Sequence, residues 1–573
     1  MNLQPIYNIA QICSQKGLDQ AILSPGSRNA PLTLSFVRHP HIQCRTISDE
    51  RSAAFIALGL AQQKKKATIL ACTSGSAALN YGPAIAEAYF QQIPLLVLTA
   101  DRPPEWIDQL DGQTIRQEDV YGRHVKKSYS IPADLSHPDA EWHTYRIISE
   151  AINTSMSTPQ GPVHINVPFR EPFYPDKDTE ITYSESLNVI DEVGSKHLLA
   201  EQHWQSLAEE WSEFKKKLIV AGQSDRDESL SQTLDTLSQA QKIPIVGDVI
   251  SNLHEISDVV AHPDVFIGGI KNGLHESLQP ELLITFGKSV ISKQLKLLLR
   301  KHKPKAHWHI QAQGEVADTF QSLTKVVRCS PNSFFEKIIE SQPEEGFESQ
   351  KQENYYQIWQ IEERKVQRLL QKFFPMEPLG EFEMTKSVID KIPNNTNIHL
   401  ANSMAVRYAN YIGLNDKAKS LEVFSNRGTS GIDGSNSTAV GASLANDKLN
   451  VVITGDLAFF YDRNAFWHNY KIPNLRVLLL NNHAGGIFRM IKGPSDLPEL
   501  KEYFETHQSL NAKSIADEFG FEYMNCDSRS KLNNYISYFF QKSDTPKILE
   551  LESRSEDNKT ILTDFKRAFD QIG

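Results

Sequence analysis

Short apolar runs rich in β-branched residues alternate along the chain with longer stretches whose apolar positions recur at helical spacing. In the first third the strand-like runs are Gln20 to Leu23, Ala67 to Cys72, Pro94 to Thr99 and Val163 to Val167, and helical patterns cover Ser52 to Gln62 and Ala77 to Gln91. The runs are apolar throughout rather than alternating, as in strands buried on both faces of a parallel sheet. After Arg170 the segment Glu171-Pro172-Phe173-Tyr174-Pro175-Asp176 turns polar and proline-containing, which predicts a linker. Further strands are predicted at Leu218 to Ala221, Ile243 to Val246, Leu282 to Phe286 and Trp308 to Gln311. A stretch rich in Glu, Gln and Ser, Ser341 to Asn354, predicts a second boundary. The last third opens with a helix near Tyr355 to Phe373 and repeats the strand pattern through Ile398, Val423, Val451, Val477 and Ile548. The pattern predicts an α/β fold of three domains with parallel sheets, spanning 1–175, 190–340 and 355–573. No internal sequence repeat stands out.

Length agrees with that division, since 573 residues exceed what one core organises. A composition of 40% hydrophobic and 23% charged residues is that of ordinary globular proteins. The formal charge of -10 argues against nonspecific binding to nucleic acid or to an anionic membrane surface, so an anionic substrate must meet a local basic site. Five cysteines (Cys13, Cys44, Cys72, Cys329, Cys526) show no Cys-x-x-Cys spacing, which predicts reduced, mostly buried thiols. Met1 to Gln15 lacks the basic-then-apolar order of a signal peptide, and no apolar run approaches the roughly 20 residues that span a bilayer. The expectation is a cytoplasmic enzyme.

Candidate chemistry concentrates where strands end. Gly455-Asp456-Leu457 follows the apolar run 450–454, and Asn481-Asn482 closes the next one, Leu475 to Leu480, with Tyr461 to Tyr470 predicted as the crossover helix. Ligands of open α/β sheets sit beyond the carboxyl ends of strands, so a carboxylate and an amide delivered there can hold a hard cation. Magnesium takes oxygen ligands and keeps positions free for phosphate, which points to a metal-bridged diphosphate. An ordinary βαβ unit with turn-forming Asp and Asn would look the same locally. Asp49-Glu50-Arg51 opens an Ala-rich helix; Glu50 is either chemistry or a favourable acid at a helix N-terminus. Gly287-Lys288-Ser289 imitates the end of a phosphate-binding loop, but Leu282 stands where the first glycine is required, and no Gly-x-Gly-x-x-Gly follows a middle-domain strand. Arg28, Arg102, Arg407 and Arg427 occupy loops after predicted strands, and guanidinium groups bind carboxylates bidentately without losing charge. Four of them suggest substrates with several carboxylates.

The Gly-Asp start and paired-Asn end resemble the thiamine diphosphate motif, and three α/β domains in series resemble the thiamine diphosphate decarboxylase superfamily. The resemblance implies thiamine diphosphate with Mg2+ (or Mn2+) as cofactor, Asp456, Asn482 and the Ala484 carbonyl as metal ligands, and Ser74, Gly455 and Leu457 as further cofactor contacts. Leu457 and Ala484 replace glycines common in the superfamily. It also implies Glu50 as the carboxylate that activates the cofactor's pyrimidine, and Ile432, in Ser430-Gly431-Ile432-Asp433-Gly434, as the aliphatic wedge that bends it. Ser24 to Pro31, Asp49 to Arg51, Thr73 to Asn80, Thr99 to Pro104, Gln113 to Gln117, Ser425 to Gly434, Gly455 to Asn464 and Asn481 to Phe488 resemble the branch that joins 2-oxoglutarate to isochorismate in menaquinone biosynthesis. That branch implies decarboxylation of 2-oxoglutarate and conjugate addition of the four-carbon product. Gln113 would be catalytic and bind substrate, and Ser27, Arg28, Arg102, Lys293, Ser403, Arg407, Arg427, Ile487 and Phe488 would bind substrate. Gln294 and Gly112 depart from residues that some relatives carry beside Lys293 and Gln113. A homodimer or homotetramer with sites between subunits is implied, Glu50 coming from one copy and Asp456 from the other. The alternatives are another 2-oxoacid carboligase, such as an acetohydroxyacid synthase-like enzyme, which would not need the arginines, and an inactive homologue, which would have lost Glu50 or Asp456.

Overall fold

The computed structural model describes residues 3–171, 173–174, 180–194, 199–269, 274–341, 349–375, 377–414 and 420–571. Three parallel sheets follow one another along the chain. The first contains β1 (Gln20–Leu23), β2 (Gln43–Thr46), β3 (Thr68–Cys72), β4 (Leu95–Asp101), β5 (Ser128–Ser130) and β6 (Pro162–Pro168), in the order β2-β1-β3-β4-β6-β5. The second contains β7 (Lys217–Ala221), β8 (Ile245–Gly247), β9 (Leu282–Phe286), β10 (Ala306–Ile310) and β11 (Lys325–Val327), in the order β11-β10-β9-β7-β8. The third contains β12 (Thr396–Leu400), β13 (Leu421–Phe424), β14 (Leu449–Gly455), β15 (Leu475–Asn481), β16 (Glu522–Cys526) and β17 (Lys547–Glu552), in the order β13-β12-β14-β15-β17-β16. Counted from their own first strands, the first and third sheets have the same order, so the repetition that the sequence hides exists in topology.

The central strands are the apolar runs: β3, β4 and β15 are buried along their whole length. Four strands that the pattern does not predict, β2, β5, β11 and β16, all lie at sheet edges. An edge strand is covered less completely and needs no continuous apolar run; β2 reads Gln-Cys-Arg-Thr and only its Arg is buried. The predicted linkers fall partly on Pro172, Pro175, Asp176 and 342–348, which lie outside the described residues.

Two helix expectations are corrected. The 77–91 helix is two pieces, Ser76–Asn80 and Gly82–Gln91, because Pro83 has no N–H to continue the ladder. Between β14 and β15 the crossover is not a helix over Tyr461 to Tyr470 but a helix Asp456–Tyr461 followed by a 3-10 turn, Arg463–Phe466. The Asn436 amide donates to the Phe459 and Asp462 carbonyls at 3.1 and 3.3 Å, and the Asp462 carboxylate accepts from Ser437 N and Oγ, so the last turn's polar groups are satisfied from outside.

The first and third units are joined by the crossing of helices Glu50–Lys64 and Ser435–Ala445. A Cβ on Gly59 would stand 2.1 Å from the Thr438 carbonyl oxygen, and one on Gly441 2.2 Å from that of Ile56, so the backbones touch where both residues lack side chains. All five cysteines are free, and four are buried. Among the described residues no helix is long and apolar enough to cross a membrane. Lys288 of the false phosphate loop donates its ammonium group to the Gln91 carbonyl and is not free for phosphate.

Candidate active site

The carboxyl ends of β14 and β15 bring Asp456 and Asn482 to one point. Asp456, buried, opens its helix; Oδ1 accepts from Leu457 N at 2.8 Å and Oδ2 from Ala484 N at 3.0 Å. Asn482 Oδ1 accepts from the same Ala484 N–H at 3.1 Å. Two oxygens sharing one donor are necessarily neighbours. The turn that closes on them requires Gly485, with φ +59 and no room for a Cβ, which would lie 2.3 Å from Leu457 Cδ1. The donors here are a carboxylate, an amide oxygen and backbone carbonyls, and no His, Cys, Asp and Glu cluster of metal-binding kind occurs among the described residues. Such a set is hard and incomplete, which fits magnesium completed by phosphate oxygens and does not fit a closed structural zinc.

A cavity of about 400 Å³ opens beside this point. Gly455, Leu457 and Ile432 line it together with Asp456, as do Ser403, Ile487, Phe488, Arg407 and Arg427. Ser403 holds φ +72 at the start of helix Met404–Ile412, and its carbonyl takes Arg407 at 2.5 Å. Arg427 donates to Asn402 Oδ1 at 2.9 Å, and its buried Nε finds no partner. Neither guanidinium forms an ion pair among the described residues. Burial holds both below the usual arginine range, and for Arg427 the Arg407 charge adds to the effect. Two partly buried cations that line one cavity, neither of them ion-paired, are fitted to receive an anionic group.

Two polar residues of this site carry no warning in the sequence. Glu381, fully buried at the start of helix Glu381–Lys391, accepts from Asn482 Nδ2 at 2.8 Å and so fixes which face of that amide presents its oxygen. Burial, with the Asp456 charge adding and the Asn482 hydrogen bond opposing, pushes its carboxyl up to about 7. Gln508 donates to Asp456 Oδ2 at 3.3 Å and Asn481 Oδ1 at 3.1 Å. An acid at a helix start and a lone Gln in a loop look unremarked on the page, because their partners are far along the chain.

The first unit forms a separate wall. Glu50 lies in the first turn of its helix, where Asp49 caps Ser52 N at 3.2 Å. Its two neighbours tie it to the third unit: Asp49 accepts from Asn464 Nδ2 at 2.7 Å, and Arg51 donates to the Tyr461 carbonyl at 2.8 Å and stacks on that ring. Glu50 nevertheless does not line the Asp456 cavity of its own chain, nor do Ser27, Arg28, Ser74, Arg102, Gln113 or Lys293. Ser74 is buried with an unpartnered Oγ, and Gln113, at φ +56, packs its backbone against Gly75. Ser27 is exposed beside Arg28, whose guanidinium donates to the Phe169 carbonyl at 2.8 Å and lies 4.6 Å from the Phe173 ring centre. Arg102 is already paired with Asp111 at 2.6 Å. Lys293 begins helix Lys293–Lys301 with its side chain exposed. The four arginines are therefore not equivalent: Arg407, expected in a loop, lies in the second turn of helix Met404–Ile412, and it and Arg427 are the pair that shares the Asp456 cavity.

Comparison with known proteins agrees with this geometry. Residues 8–120 match the family model described as the N-terminal TPP binding domain of thiamine pyrophosphate enzymes, 191–400 the middle domain of thiamine pyrophosphate enzymes, and 404–551 their C-terminal TPP binding domain. The chain is 46% identical to the 2-succinyl-5-enolpyruvyl-6-hydroxy-3-cyclohexene-1-carboxylate synthase of Cytophaga hutchinsonii, with 99% of each chain covered. It is 39% identical to the synthase of that name from Flavobacterium johnsoniae, with 97% of each covered, and 35% identical to that from Bacteroides thetaiotaomicron, with 98% of each covered.

Proposed function

The chain belongs to the 2-succinyl-5-enolpyruvyl-6-hydroxy-3-cyclohexene-1-carboxylate synthase family of thiamine pyrophosphate enzymes, and from that membership we propose the substrates, site roles and assembly that follow. It is a thiamine diphosphate-dependent transferase of menaquinone biosynthesis. Its donor is 2-oxoglutarate and its acceptor isochorismate; carbon dioxide leaves the donor and the remaining four-carbon unit adds to the acceptor's conjugated double bond.

Bound thiamine diphosphate supplies the electron sink that decarboxylation of a 2-oxoacid requires. Asp456, Asn482 and the Ala484 carbonyl would hold the Mg2+ that anchors its diphosphate, with Mn2+ as a substitute of similar ligand preference. Gly455 and Leu457 would flank that anchor, and Ser74 and Ile432 would contact the cofactor's rings. Glu50 would hold and return a proton at its carboxylate for the cofactor's pyrimidine, a role that needs only one well-placed carboxylate. Arg407 and Arg427 take substrate carboxylates from water into the cavity, where fixed charges act at full strength and water is excluded. Ser403, Ile487 and Phe488 shape the pocket on that side, and Gln113, Ser27, Arg28, Arg102 and Lys293 complete it from the opposite wall. The opposite wall comes from a second copy: what supports this is that Glu50 does not line the cavity of its own Asp456. A homodimer, or a tetramer of two such dimers, is then the working form, and we place it in the cytoplasm.

The observation that carries the reading is the pair of arginines, neither of them ion-paired among the described residues, that line one cavity with Asp456 and Asn482. A small neutral-tailed donor such as pyruvate would leave a buried cation unpaired. Carbon dioxide release measured with 2-oxoglutarate or pyruvate, each with and without isochorismate, tests it: release from 2-oxoglutarate, coupled to consumption of isochorismate, is expected. Equal or faster turnover of pyruvate would refute it.

A further inference from the structure

Helix Gly82–Gln91 of the first unit carries Glu87, a buried carboxylate that makes no ion pair among the described residues and belongs to none of the groups assigned above. Apart from Gln91 on its own helix, its partners are on the loop that follows β13 in the third unit, the loop that bears Arg427 and Ile432. Oε1 accepts from Gly428 N at 2.7 Å and Gln91 Nε2 at 2.6 Å, and Oε2 accepts from Thr429 N at 2.7 Å and Thr429 Oγ1 at 2.5 Å. Gly428 must be glycine for this approach, since a Cβ there would lie 2.7 Å from the Glu87 carbonyl oxygen. The loop's flanks are held by other groups. Gln223 of the middle unit donates to the Ser425 carbonyl at 2.9 Å, and Asn402 donates to the Asn426 and Gly431 carbonyls at 2.6 Å each. The tip, Gly428 and Thr429, rests on Glu87.

A carboxylate buried without a cation is expensive, and a simple interdomain tie would not need one. What the charge achieves is visible in its position. Each carboxylate oxygen fixes one of the two peptides directly after Arg427, and the Asp248 and Glu87 charges, in that order, favour the Arg427 charge against burial and the neighbouring Arg407. We propose that Glu87 is a positioning residue for the substrate site: from a different domain it sets the register of the Arg427 loop and so aims that guanidinium. The inference rests on the reading that Arg427 binds a substrate carboxylate.

A glutamine cannot replace it. One arm of the amide would still accept, but the other would turn an NH2 toward the N–H of Gly428 or of Thr429, leaving that peptide unpaired or turned. The test uses full-length protein with thiamine diphosphate and Mg2+, comparing wild type, Glu87→Gln, Arg427→Ala and the double variant, with 2-oxoglutarate and isochorismate varied separately. In Glu87→Gln the KM of the substrate served by Arg427 should rise roughly tenfold, while kcat and cofactor affinity stay within about a factor of three. In the Arg427→Ala background the same change should raise KM no further, because the residue acts through Arg427. Thr429→Val, which removes only one of the four donors, should raise that KM less and show the same loss of effect; it carries the test if Glu87→Gln does not fold. A fall in thermal stability with KM unchanged, or KM effects that multiply in the double variant, overturns the proposal. If wild type leaves both substrates untouched, the functional reading falls and this inference with it; if wild type turns them over without the coupling, this inference alone falls.

Discussion

Replacing Arg427 with alanine removes a cation whose cost and use can be separated. Without substrate, the side chain is half-buried beside Arg407, has one side-chain hydrogen bond among the described residues, to Asn402 Oδ1 at 2.9 Å, and leaves its buried Nε unpaired. Its deletion relieves desolvation and like-charge repulsion and forfeits a bond of about 1 kcal/mol, so the stability of the free enzyme should change by no more than about 1 kcal/mol in either direction. With substrate, the lost contact is a charge-assisted, bidentate one, worth about 1.5–3 kcal/mol, which is roughly a 10- to 150-fold rise in KM. Cofactor affinity should hold, since Arg427 does not touch the metal end. Steady-state kinetics with each substrate varied in turn, a thermal melt and calorimetric titration of thiamine diphosphate read the three quantities. Lysine at this position should recover part of the loss, having the charge without the planar fork. A variant that melts markedly earlier yet keeps both KM values would mean that Arg427 is a structural residue, and the case for a dicarboxylate donor would lose its physical support.

Asp456→Ala should weaken thiamine diphosphate binding in Mg2+ by more than about 100-fold, a loss beyond that usual for outer-shell metal residues; wild-type affinity by calorimetry would move the metal site elsewhere. Glu50→Gln should still bind cofactor but slow exchange of its C2 proton by roughly 100- to 10,000-fold, and unchanged exchange by NMR would remove Glu50 from the mechanism. Gly59→Ala drives a methyl into the Thr438 carbonyl and should destabilise the protein by about 1–3 kcal/mol in chemical denaturation; an unchanged midpoint would contradict the helix contact. Burial holds His164 down to about 3 and His307, His399 and His468 each to about 4, against 6.5 when exposed. The unfolded chain thus takes up protons first, so stability complete above pH 6.5 should fall as pH drops toward 4, by about 1.4 kcal/mol per unit per histidine. His399→Gln should flatten that slope by one residue's share in melts between pH 7.5 and 5, and an unaltered slope would show that His399 does not contribute.

The amino-acid sequence determined the parts of this protein that depend on near neighbours. Apolar runs became the central strands of three parallel sheets, because a strand covered on both faces must be apolar throughout. The same runs located Asp456 and Asn482 at strand ends, where the loop chemistry has nowhere to point but outward from the sheet. Edge strands such as β2 and β16 escaped, since partial cover imposes no such pattern, and the crossover after Tyr461 ended early because Asn436 and Ser437, some 25 residues back, satisfy its last polar groups. Tertiary structure alone decided which arginines share a cavity: Arg102 found Asp111 nine residues away, whereas Arg407 and Arg427 were left together without an ion-pair partner among the described residues. It alone placed Glu381 against Asn482 and Glu87 under the Arg427 loop, across 101 and 341 residues of chain. Local periodicity reports how much of a residue is covered; the identity of the partner depends on packing between elements distant along the chain, which no local pattern encodes.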